Sequence, residues 1–352
     1  VVPIQHTVHR RNLDDNQEIQ FKAFDRDIKL YLTPTEGILA SENTPVWTVS
    51  SNPNYPEGLK YDLIPNVSSY IFLIRSNVNI FKMKKLSNPS KRINNTGHKH
   101  NVPDVIYPEI LIIMDNSEYA LVGKDIKHAI RYILSFWNGV DLRYRLLNNP
   151  KIRFNIAGIV IALVNVDKAL REMADYIYRE TRFPIGFYDI AITMTQQDDK
   201  KTSEMAGIVE DNGGFSGIIP AAHEIGHLIG ARHDGNPIYA TNCSEHDGYI
   251  MTSGLMLNEN GFEWSNCTIN AFYTFLSEDR AKCLYNEPVN GHSLPRILPG
   301  KLMSLDYQCK KVHGHEAKAC NVNCLVPGSE RACTAIAPAA EGSSCGKGVV
   351  SI

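Results

Sequence analysis

The sequence predicts an α/β domain that follows a mainly β region and precedes a small disulfide-rich segment. Three observations support this prediction. Strand and helix patterns alternate between residues 106 and 195, period-two stretches occur in the first hundred residues, and all eight cysteines lie after residue 242. A chain of 352 residues also exceeds one typical core, so two or three domains are expected.

The first hundred residues show the alternation of apolar and polar side chains that is typical of half-buried strands. Ile28–Leu32 and Tyr70–Ile74 both have this pattern, and turn-rich segments such as residues 51–56 separate such stretches. Residues 87–103 contain proline, asparagine, glycine and basic residues but almost no apolar residue, which is typical of a linker. We therefore predict a β region and linker over residues 1–102.

From residue 106 onward, buried-type strands and amphipathic helices alternate. Ile110–Met114 is a continuous apolar run, and apolar residues recur at helical spacing in a predicted helix over residues 123–137. The later predicted elements are one or two strands over residues 152–164, a helix over 168–180 and a strand over 188–195. This order implies helices that cover a largely parallel sheet, and we assign the domain to residues 103–288.

The distribution of cysteines indicates an oxidising compartment. The eight cysteines fall between Cys243 and Cys345 in a region rich in glycine and proline, which suggests disulfides. Five of them follow Pro288, so we expect disulfides, more than a core, to hold residues 289–352 together. Four Asn-x-Ser/Thr sequons agree with secretion and are the predicted glycosylation sites: Asn66, Asn94, Asn242 and Asn266.

Charge and hydropathy argue against two classes of protein. The formal net charge is −2 and no run of five Lys or Arg residues occurs, so no nucleic-acid partner is expected. The longest apolar stretch, residues 156–164, is about half the length that a membrane span needs and is predicted to be a buried strand. Residues 1–6 lack the pattern of a signal peptide, which removal of such a peptide before numbering would explain.

The most informative segment is HEIGHLIGARHD, which begins at His223. Residues i and i+4 lie on one face of a helix, so His223 and His227 can bind the same ion. Gly230, with a positive φ angle, would let the chain turn so that His233 becomes a third ligand. We expect Ser216 to cap this helix, with Pro220 tolerated in the first turns.

Three neutral imidazoles leave tetrahedral Zn²⁺ one open position for water, which is typical of a catalytic zinc site. Glu224 directly follows the first ligand, and its carboxylate can take a proton from the attacking water and pass it to the leaving amine. The alternative is a helix with three surface histidines. Chance occurrence of six specified residues at these positions is rarer than about one in 10⁵, which favours the zinc site.

At these residues the sequence resembles the metzincins, and the aspartate after His233 is similar to that of the reprolysin branch, which includes snake-venom metalloproteinases, ADAMs and ADAMTS proteases. Met251 lies in a segment that resembles the family's Met-turn. Residues 21–30 are similar to the start of a reprolysin prodomain, and the tail resembles the cysteine-rich module of ADAMTS proteins. The compact arrangement of the predicted regions also resembles that of secreted arthropod metalloproteinases, especially those of wasp venom.

The resemblance implies a mixed five-stranded sheet above an active-site cleft that binds polypeptide substrates. An extended substrate would pair with an edge strand that includes Gly207 and Ile208, and the substrate side chain after the cut would lie against Thr252, Ser253 and Leu255. The resemblance also implies a calcium site built from four residues: Glu109, Asp189, Cys283 and Asn286.

Two departures from the family concern cysteines. Many relatives use a prodomain cysteine to silence the zinc, but residues 1–242 contain none, so inhibition by residues 1–102 must be steric or use another ligand. The usual partner of Cys283 is also absent. We expect Cys243 to pair with Cys267, and Cys283 to join the five tail cysteines so that their number is even.

Three functions remain open at this stage. The first is a secreted zinc endopeptidase, which the intact Glu224 favours. The second is a non-catalytic binding protein that recognises a cell-surface or matrix partner through its cysteine-rich tail. The third is a zinc hydrolase of small molecules, although an open metzincin cleft would favour polypeptides.

Overall fold

The computed structural model describes most of the chain between residues 37 and 313, together with shorter pieces on either side. The described residues are 7–9, 17–23, 26–32, 37–55, 58–65, 67–71, 102–164, 181–184, 186–196, 206–254, 258–288, 291–313, 319–320, 323–325, 333–334, 339–346 and 349–350. The chain forms two compact units, one from residues 1–37 and 74–99 and one from residues 38–73 and 100–352. No helix in the described ranges is long and apolar enough to cross a membrane.

The first unit contains a three-stranded antiparallel sheet with its strands in sequence order. The strands are β1 (Thr7–His9), β2 (Gln17–Ala23) and β3 (Arg26–Leu32). The strand predicted at Ile28–Leu32 is therefore confirmed.

The second unit is built around a mixed sheet of six strands in the order β11-β10-β7-β9-β4-β5. All neighbouring pairs are parallel except β4 with β5. The strands of this unit up to residue 210 are β4 (Val46–Ser51), β5 (Leu59–Leu63), β6 (Val105–Ile106), β7 (Glu109–Met114), β8 (Lys151–Ile152), β9 (Asn155–Ala162), β10 (Ile190–Thr195) and β11 (Ala206–Glu210). Five short strands follow: β12 (Ala319–Cys320), β13 (Asn323–Leu325), β14 (Cys333–Thr334), β15 (Ser344–Gly346) and β16 (Val349–Val350).

Seven α-helices are described, most of them in the second half of the chain. They are α1 (Ser68–Ile71), α2 (Asn116–Leu121), α3 (Ile126–Tyr144), α4 (Ile218–Leu228), α5 (Asn266–Leu276), α6 (Pro299–Leu302) and α7 (Leu305–His313). Three 3₁₀ helices span Glu245–Asp247, Glu259–Phe262 and Asp279–Tyr285. Helix α3 extends beyond the predicted end at residue 137 because its apolar face continues through the buried Val140 and Tyr144.

The sheet differs from the sequence prediction at its β4 side. The resemblance implies five strands, whereas the observed sheet has six, because it includes β4 and β5, two strands from the predicted amino-terminal β region. Strand β4 pairs with β9, and its Val46 and Val49 are buried. The strand predicted at Tyr70–Ile74 is wrong at its first two residues, which end α1. Residues 72–101, which include most of the linker, and the helix predicted over residues 168–180 lie outside the described residues.

The sheet separates two apolar clusters because side chains alternate along each strand. On β7, Ile110, Ile112 and Met114 contribute to the larger core, which also contains the apolar residues of α3 and α4. Leu111 and Ile113 belong to the smaller cluster on the opposite face. Helices α3 and α4 therefore cover the same face of the sheet, and the larger core supports the helix that carries the histidines.

The segment after residue 290 is part of the second unit and packs on α3. Leu294 and Met303 belong to the larger core. The Ile297 carbonyl accepts hydrogen bonds from Ser135 (3.2 Å) and Asn138 (3.1 Å). The expectation that disulfides, more than a core, hold this region together is therefore wrong for these residues, because they contribute side chains to the main core.

Two segments of the second unit that are distant in sequence, residues 40–42 and residues 292–294, pair with each other. Ser41 and Ser293 form an antiparallel bridge. The Glu42 amide donates to the His292 carbonyl (3.1 Å), and the Leu294 amide donates to the Ala40 carbonyl (2.9 Å). The segment before β4 is thus joined by backbone hydrogen bonds to the segment that follows residue 290.

Candidate metal centre

Helix α4 carries the first two histidines, and an aspartate fixes its start. The Gly217 amide and the Ser216 hydroxyl both donate to Asp211 Oδ1, at 2.8 and 3.1 Å, and the buried Tyr132 hydroxyl donates to Asp211 Oδ2. The N-cap is Gly217, so the expectation that Ser216 caps the helix is wrong. A carboxylate at this end satisfies an unpaired amide and interacts favourably with the helix dipole. Pro220 lies in the first turn, as predicted.

Gly230 ends the helix in the way the sequence indicates. Its φ angle is 97°, its amide donates to the His227 carbonyl (3.0 Å), and the Ala231 amide donates to the Gly226 carbonyl (2.9 Å). These two bonds form a Schellman motif, which reverses the chain direction. The reversal brings His233 back to the two helix histidines.

The three histidines direct the same ring nitrogen, Nε2, towards a common centre. The Nε2 atom of His233 lies 3.1 Å from the Nε2 atoms of both His223 and His227. His223 Nδ1 is 2.7 Å from the Ile250 carbonyl oxygen, and His227 Nδ1 is 3.0 Å from the Ala231 carbonyl oxygen. Because a carbonyl only accepts, each Nδ1 carries the proton and each Nε2 presents a lone pair to the common centre.

This arrangement fits zinc. With Zn–N bonds of about 2.0–2.1 Å, tetrahedral geometry separates two ligand nitrogens by about 3.3 Å, close to the observed 3.1 Å. Across the described ranges, this is the one group of three or more His, Cys, Asp or Glu ligands whose atoms all lie within 4.8 Å of one another.

Burial adjusts the protonation of the site in a way that suits metal binding. Burial lowers the pKa of His223 to about 4 and also lowers the pKa of His233, so both imidazoles are neutral at neutral pH. Glu224 is half-buried on α4, and burial raises the pKa of its carboxyl group, while His227 opposes this shift. A carboxylate with a raised pKa is a stronger base.

Met251 packs directly beneath α4. It is fully buried, and its sulfur lies 2.6 Å from the position that a Cβ on Gly226 would occupy. The Asp234 amide donates to the Met251 carbonyl (2.8 Å), and the Asp234 carboxylate accepts from the hydroxyl of Ser265 (2.6 Å), the N-cap of α5. The segment after the third histidine is thereby tied to the predicted Met-turn and to the next helix.

The four residues predicted to bind calcium are also neighbours. The Glu109 amide donates to Asp189 Oδ2 (2.9 Å), and the Asn286 side-chain amide donates to Glu109 Oε2 (2.7 Å). Burial raises the pKa of Asp189 to about 6, and the nearby Glu109 carboxylate adds to this shift. Burial and Asp189 raise the pKa of the Cys283 thiol. We call these four residues the acidic cluster.

The structure confirms one cysteine prediction and contradicts another. Cys243 and Cys267 form a disulfide, with their Cα atoms 6.1 Å apart. Cys283 is a free thiol, so the expectation that it joins a tail disulfide is wrong. Its sulfur lies beside Asp189 and 3.7 Å from the Arg280 carbonyl oxygen. The partner of Cys309, which is disulfide-bonded, is therefore a cysteine other than Cys283.

The other predicted residues are found in several surroundings. Gly207 and Ile208 lie on β11, which stands at one edge of the described sheet. Thr252 is buried and its hydroxyl donates to the Gly254 carbonyl (2.7 Å), whereas Ser253 is exposed and donates to Glu245 Oε2 (3.2 Å). Two sequon asparagines, Asn242 and Asn266, are exposed. Three predicted residues lie outside the described residues: Asn66, Asn94 and Leu255.

Sequence reasoning missed the groups that orient the ligands. The carbonyls of Ile250 and Ala231 are backbone groups, which leave no residue-type signal. Asp211 and Tyr132 are 79 residues apart, and only the fold brings them together. The acidic residue pair Glu210 and Asp211 before the helix was the one sequence signal that could have indicated the cap.

Comparison with known proteins supports the same assignment. Residues 193–288 match the family described as reprolysin (M12B) family zinc metalloprotease, and this segment contains the three histidines, Glu224 and Met251. The chain contains a reprolysin-family region. The family resemblance predicted from the sequence is thereby confirmed.

Reprolysin-type relatives include insect and mammalian proteins. A Bombyx mori protein named "A disintegrin and metalloproteinase with thrombospondin motifs like" is 42% identical over 71% of this chain and 44% of its own length. "Venom metalloproteinase 3" of Eulophus pennicornis is 27% identical over 51% of this chain and 52% of its own length. The mouse "A disintegrin and metalloproteinase with thrombospondin motifs 1" is 26% identical over 69% of this chain and 29% of its own length. The chain thus spans about half or less of the length of these relatives.

Proposed function

We propose that this chain is a secreted zinc endopeptidase. The observation that carries the proposal is the convergence of three imidazole Nε2 atoms, 3.1 Å apart in two of the pairs, beside a carboxylate on the same helix. His223, His227 and His233 would hold the ion. When bound, zinc supplies Lewis-acid chemistry, which activates a water molecule and polarises the peptide carbonyl.

Glu224 acts as the general base and then as the general acid. Its carboxylate takes a proton from the attacking water and delivers it to the nitrogen of the leaving amine. Burial of the carboxyl group raises its pKa, which favours both proton uptake and brief retention of the proton. The Nδ1 hydrogen bonds of His223 and His227 keep their rings in place during this cycle.

The substrate is an extended polypeptide that pairs with the β11 edge through Gly207 and Ile208. The substrate side chain after the cut would lie against Thr252, Ser253 and Leu255. Two observations support this assignment: β11 is the last strand on its side of the described sheet, and the bond from Thr252 to the Gly254 carbonyl fixes the segment after Met251.

A calcium ion is proposed at the acidic cluster. Glu109, Asp189 and Asn286 offer side-chain oxygen ligands, and Cys283 would contribute its backbone carbonyl oxygen. The hydrogen bonds and charge interactions among the side chains support a common site. A calcium ion there would balance the negative charge of the two neighbouring carboxylates.

The proposed organisation comprises a prodomain-like region over residues 1–102, the metallopeptidase domain over 103–288 and the cysteine-rich module over 289–352. Strands β4 and β5 of the first region complete the sheet of the metallopeptidase domain. The disulfide between Cys243 and Cys267 supports secretion, and the venom and ADAMTS-type relatives support an extracellular location. The tail would contact a matrix or cell-surface partner. Because no cysteine precedes Cys243, organomercurials should not activate the protein, whereas cleavage within residues 87–103 could.

A binding protein without turnover is the less favoured alternative. Loss of Glu224 is the simplest route to such a protein, and Glu224 is present.

The test is peptide hydrolysis by zinc-loaded protein and by its Glu224→Ala variant. We expect the variant to retain one zinc and to lose about 10²–10⁴-fold in rate, the usual contribution of a general base. Zinc content is measured by metal analysis and cleavage with a fluorogenic peptide library. Equal rates for the two proteins would refute the role of Glu224, and no cleavage by the wild type would favour the binding protein.

A further inference from the structure

Two glycosylation sequons share one disulfide. The first is Asn242-Cys243-Ser244 and the second is Asn266-Cys267-Thr268, so a cysteine occupies the middle position of both. These two cysteines are bonded to each other, with their Cα atoms 6.1 Å apart. Closing the disulfide therefore affects both sequons at once. In the folded protein, however, the two sequons differ in the exposure of their side chains.

The first sequon stays open in the folded protein. Asn242 and Ser244 are both exposed. Ser244 has an extended backbone, with φ −76° and ψ 137°, and precedes the 3₁₀ helix Glu245–Asp247. Its hydroxyl makes one local hydrogen bond, from the His246 amide at 3.2 Å, and remains at the surface.

The second sequon is closed in the folded protein. Asn266 is the first residue of α5, and residues i and i+2 of a helix do not face each other, so Asn266 and Thr268 cannot be presented to one enzyme site together. Thr268 is only 2% exposed. Its amide donates to the Ser265 hydroxyl (3.1 Å), and its own hydroxyl lies 3.1 Å from the same oxygen.

We propose that Asn242 carries an N-linked oligosaccharide in the mature protein, and that Asn266 receives one only when transfer precedes closure of the Cys243–Cys267 disulfide. The inference rests on passage through an oxidising secretory compartment, which is part of the proposed function, but it does not depend on catalysis. The same two cysteines that stabilise the segment after His233 thus decide which asparagine is modified.

Both competing steps balance chemically. In glycan transfer, the Asn266 side-chain nitrogen bonds to the anomeric carbon of an oligosaccharide carried on a lipid diphosphate. The bond from that carbon to the phosphate oxygen breaks, the lipid diphosphate leaves, and an amide proton is lost to a base. In disulfide closure, the two thiols lose two protons and two electrons to a disulfide-bearing oxidant, which becomes a dithiol.

Single cysteine variants separate the two sequons. Cys243→Ser prevents the disulfide but leaves Asn266-Cys267-Thr268 unchanged, whereas Cys267→Ser prevents it but leaves Asn242-Cys243-Ser244 unchanged. The full chain is expressed in a eukaryotic secretory host, and occupancy at each asparagine is measured by glycopeptide mass spectrometry after enzymatic deglycosylation in heavy-oxygen water. Intracellular chains are analysed as well, so a variant that is not exported still gives a result.

We expect wild type to carry glycan on Asn242 in most molecules and on Asn266 in a minority. Cys243→Ser should make Asn266 occupancy the major form, while Cys267→Ser should leave Asn242 occupancy unchanged. Full occupancy of Asn266 in disulfide-bonded wild type, an unmodified Asn242, or Asn266 occupancy that does not rise in Cys243→Ser would overturn the proposal. Glu224→Ala protein should give the same occupancies as wild type, so loss of peptidase activity and failure of this inference are distinguishable.

Discussion

The histidine centre and the acidic cluster of the same unit are assembled in opposite ways. Burial lowers the pKa of His223 and of His233, so both imidazoles are neutral at neutral pH, and backbone carbonyls already orient the rings of His223 and His227. The acidic cluster instead places the carboxyl groups of Glu109 and Asp189 together, and both burial and mutual repulsion raise the pKa of Asp189. The difference teaches that the first site is preformed for its ion, whereas the second has an electrostatic cost that a cation would relieve.

The largest effect is expected at the preformed site. His227→Ala should lose both zinc and peptide hydrolysis, by more than about 10²-fold, since changes in outer-shell groups alone cost about 10–100-fold. Metal analysis and a fluorogenic peptide assay measure the two losses. His246→Ala, which changes an exposed histidine on the 3₁₀ helix Glu245–Asp247, is the matched control and should behave as wild type. Retention of zinc by His227→Ala would contradict the ligand assignment.

Calcium should stabilise the fold through the acidic cluster. At a calcium concentration of about 100 times the dissociation constant, mass action adds about 2.7 kcal/mol to the free energy of unfolding. Thermal melting of zinc-loaded protein, with calcium or with a calcium-selective chelator, measures this difference. Identical midpoints would remove the calcium site and leave the histidine centre unaffected.

Close packing beneath the histidines should tolerate little change. Gly226→Ala would place a Cβ 2.6 Å from the Met251 sulfur, so we expect a loss of about 1–3 kcal/mol in the free energy of unfolding, as for other overpacked cores. Chemical denaturation measures the loss. Gly254→Ala is the control, because no atom lies within 4 Å of the Cβ that it would add. Equal destabilisation by both variants would show that the Met251 contact is unimportant.

The smallest expected effect tests whether the buried charge of Asp189 destabilises the fold when no calcium is bound. The pKa of Asp189 is raised from 3.8 to about 6 in the folded protein, so without calcium the stability should fall as pH rises from about 4 to 6 and stay lower above that range. Asp189→Asn should raise the melting midpoint at pH 7 without calcium, because it removes the buried charge. It should also abolish the gain from added calcium.

The control for this sign test is Asp104→Asn, which changes an exposed carboxylate. Between pH 4 and 8, the melting midpoint should change with pH in the same way for this variant and for wild type. A lower midpoint for Asp189→Asn than for wild type at pH 7 in chelator would mean that the carboxylate stabilises the cluster without an ion.

The histidine centre could be predicted because its signal is local. His223, His227 and Gly230 follow rules of helix periodicity and helix termination that operate within one or two turns. The sequence predicts the wrong helix cap because Ser216 is the nearest serine, whereas the role of Asp211 depends on the folded loop and on Tyr132. Local patterns thus indicated the histidines that converge but not the groups that orient them.

The sheet shows which features local sequence patterns cannot predict. The apolar runs at Ile110–Met114 and in residues 152–164 were sufficient to predict β7, β8 and β9. The parallel pairing of β4 with β9 joins segments more than a hundred residues apart, for which neither strand carries a local signal. Cys283 was assigned to a disulfide by counting cysteines, whereas the fold places its thiol beside Asp189.

The joining of residues 40–42 to residues 292–294, together with the pairing of β4 and β9, has a consequence for processing. A cut within residues 87–99 breaks the covalent chain but leaves β4 and β5 hydrogen-bonded into the same sheet. The product would be a nicked two-chain protein. It should give two bands on a denaturing gel and elute as a single species under native conditions, with the amino-terminal fragment released only on unfolding.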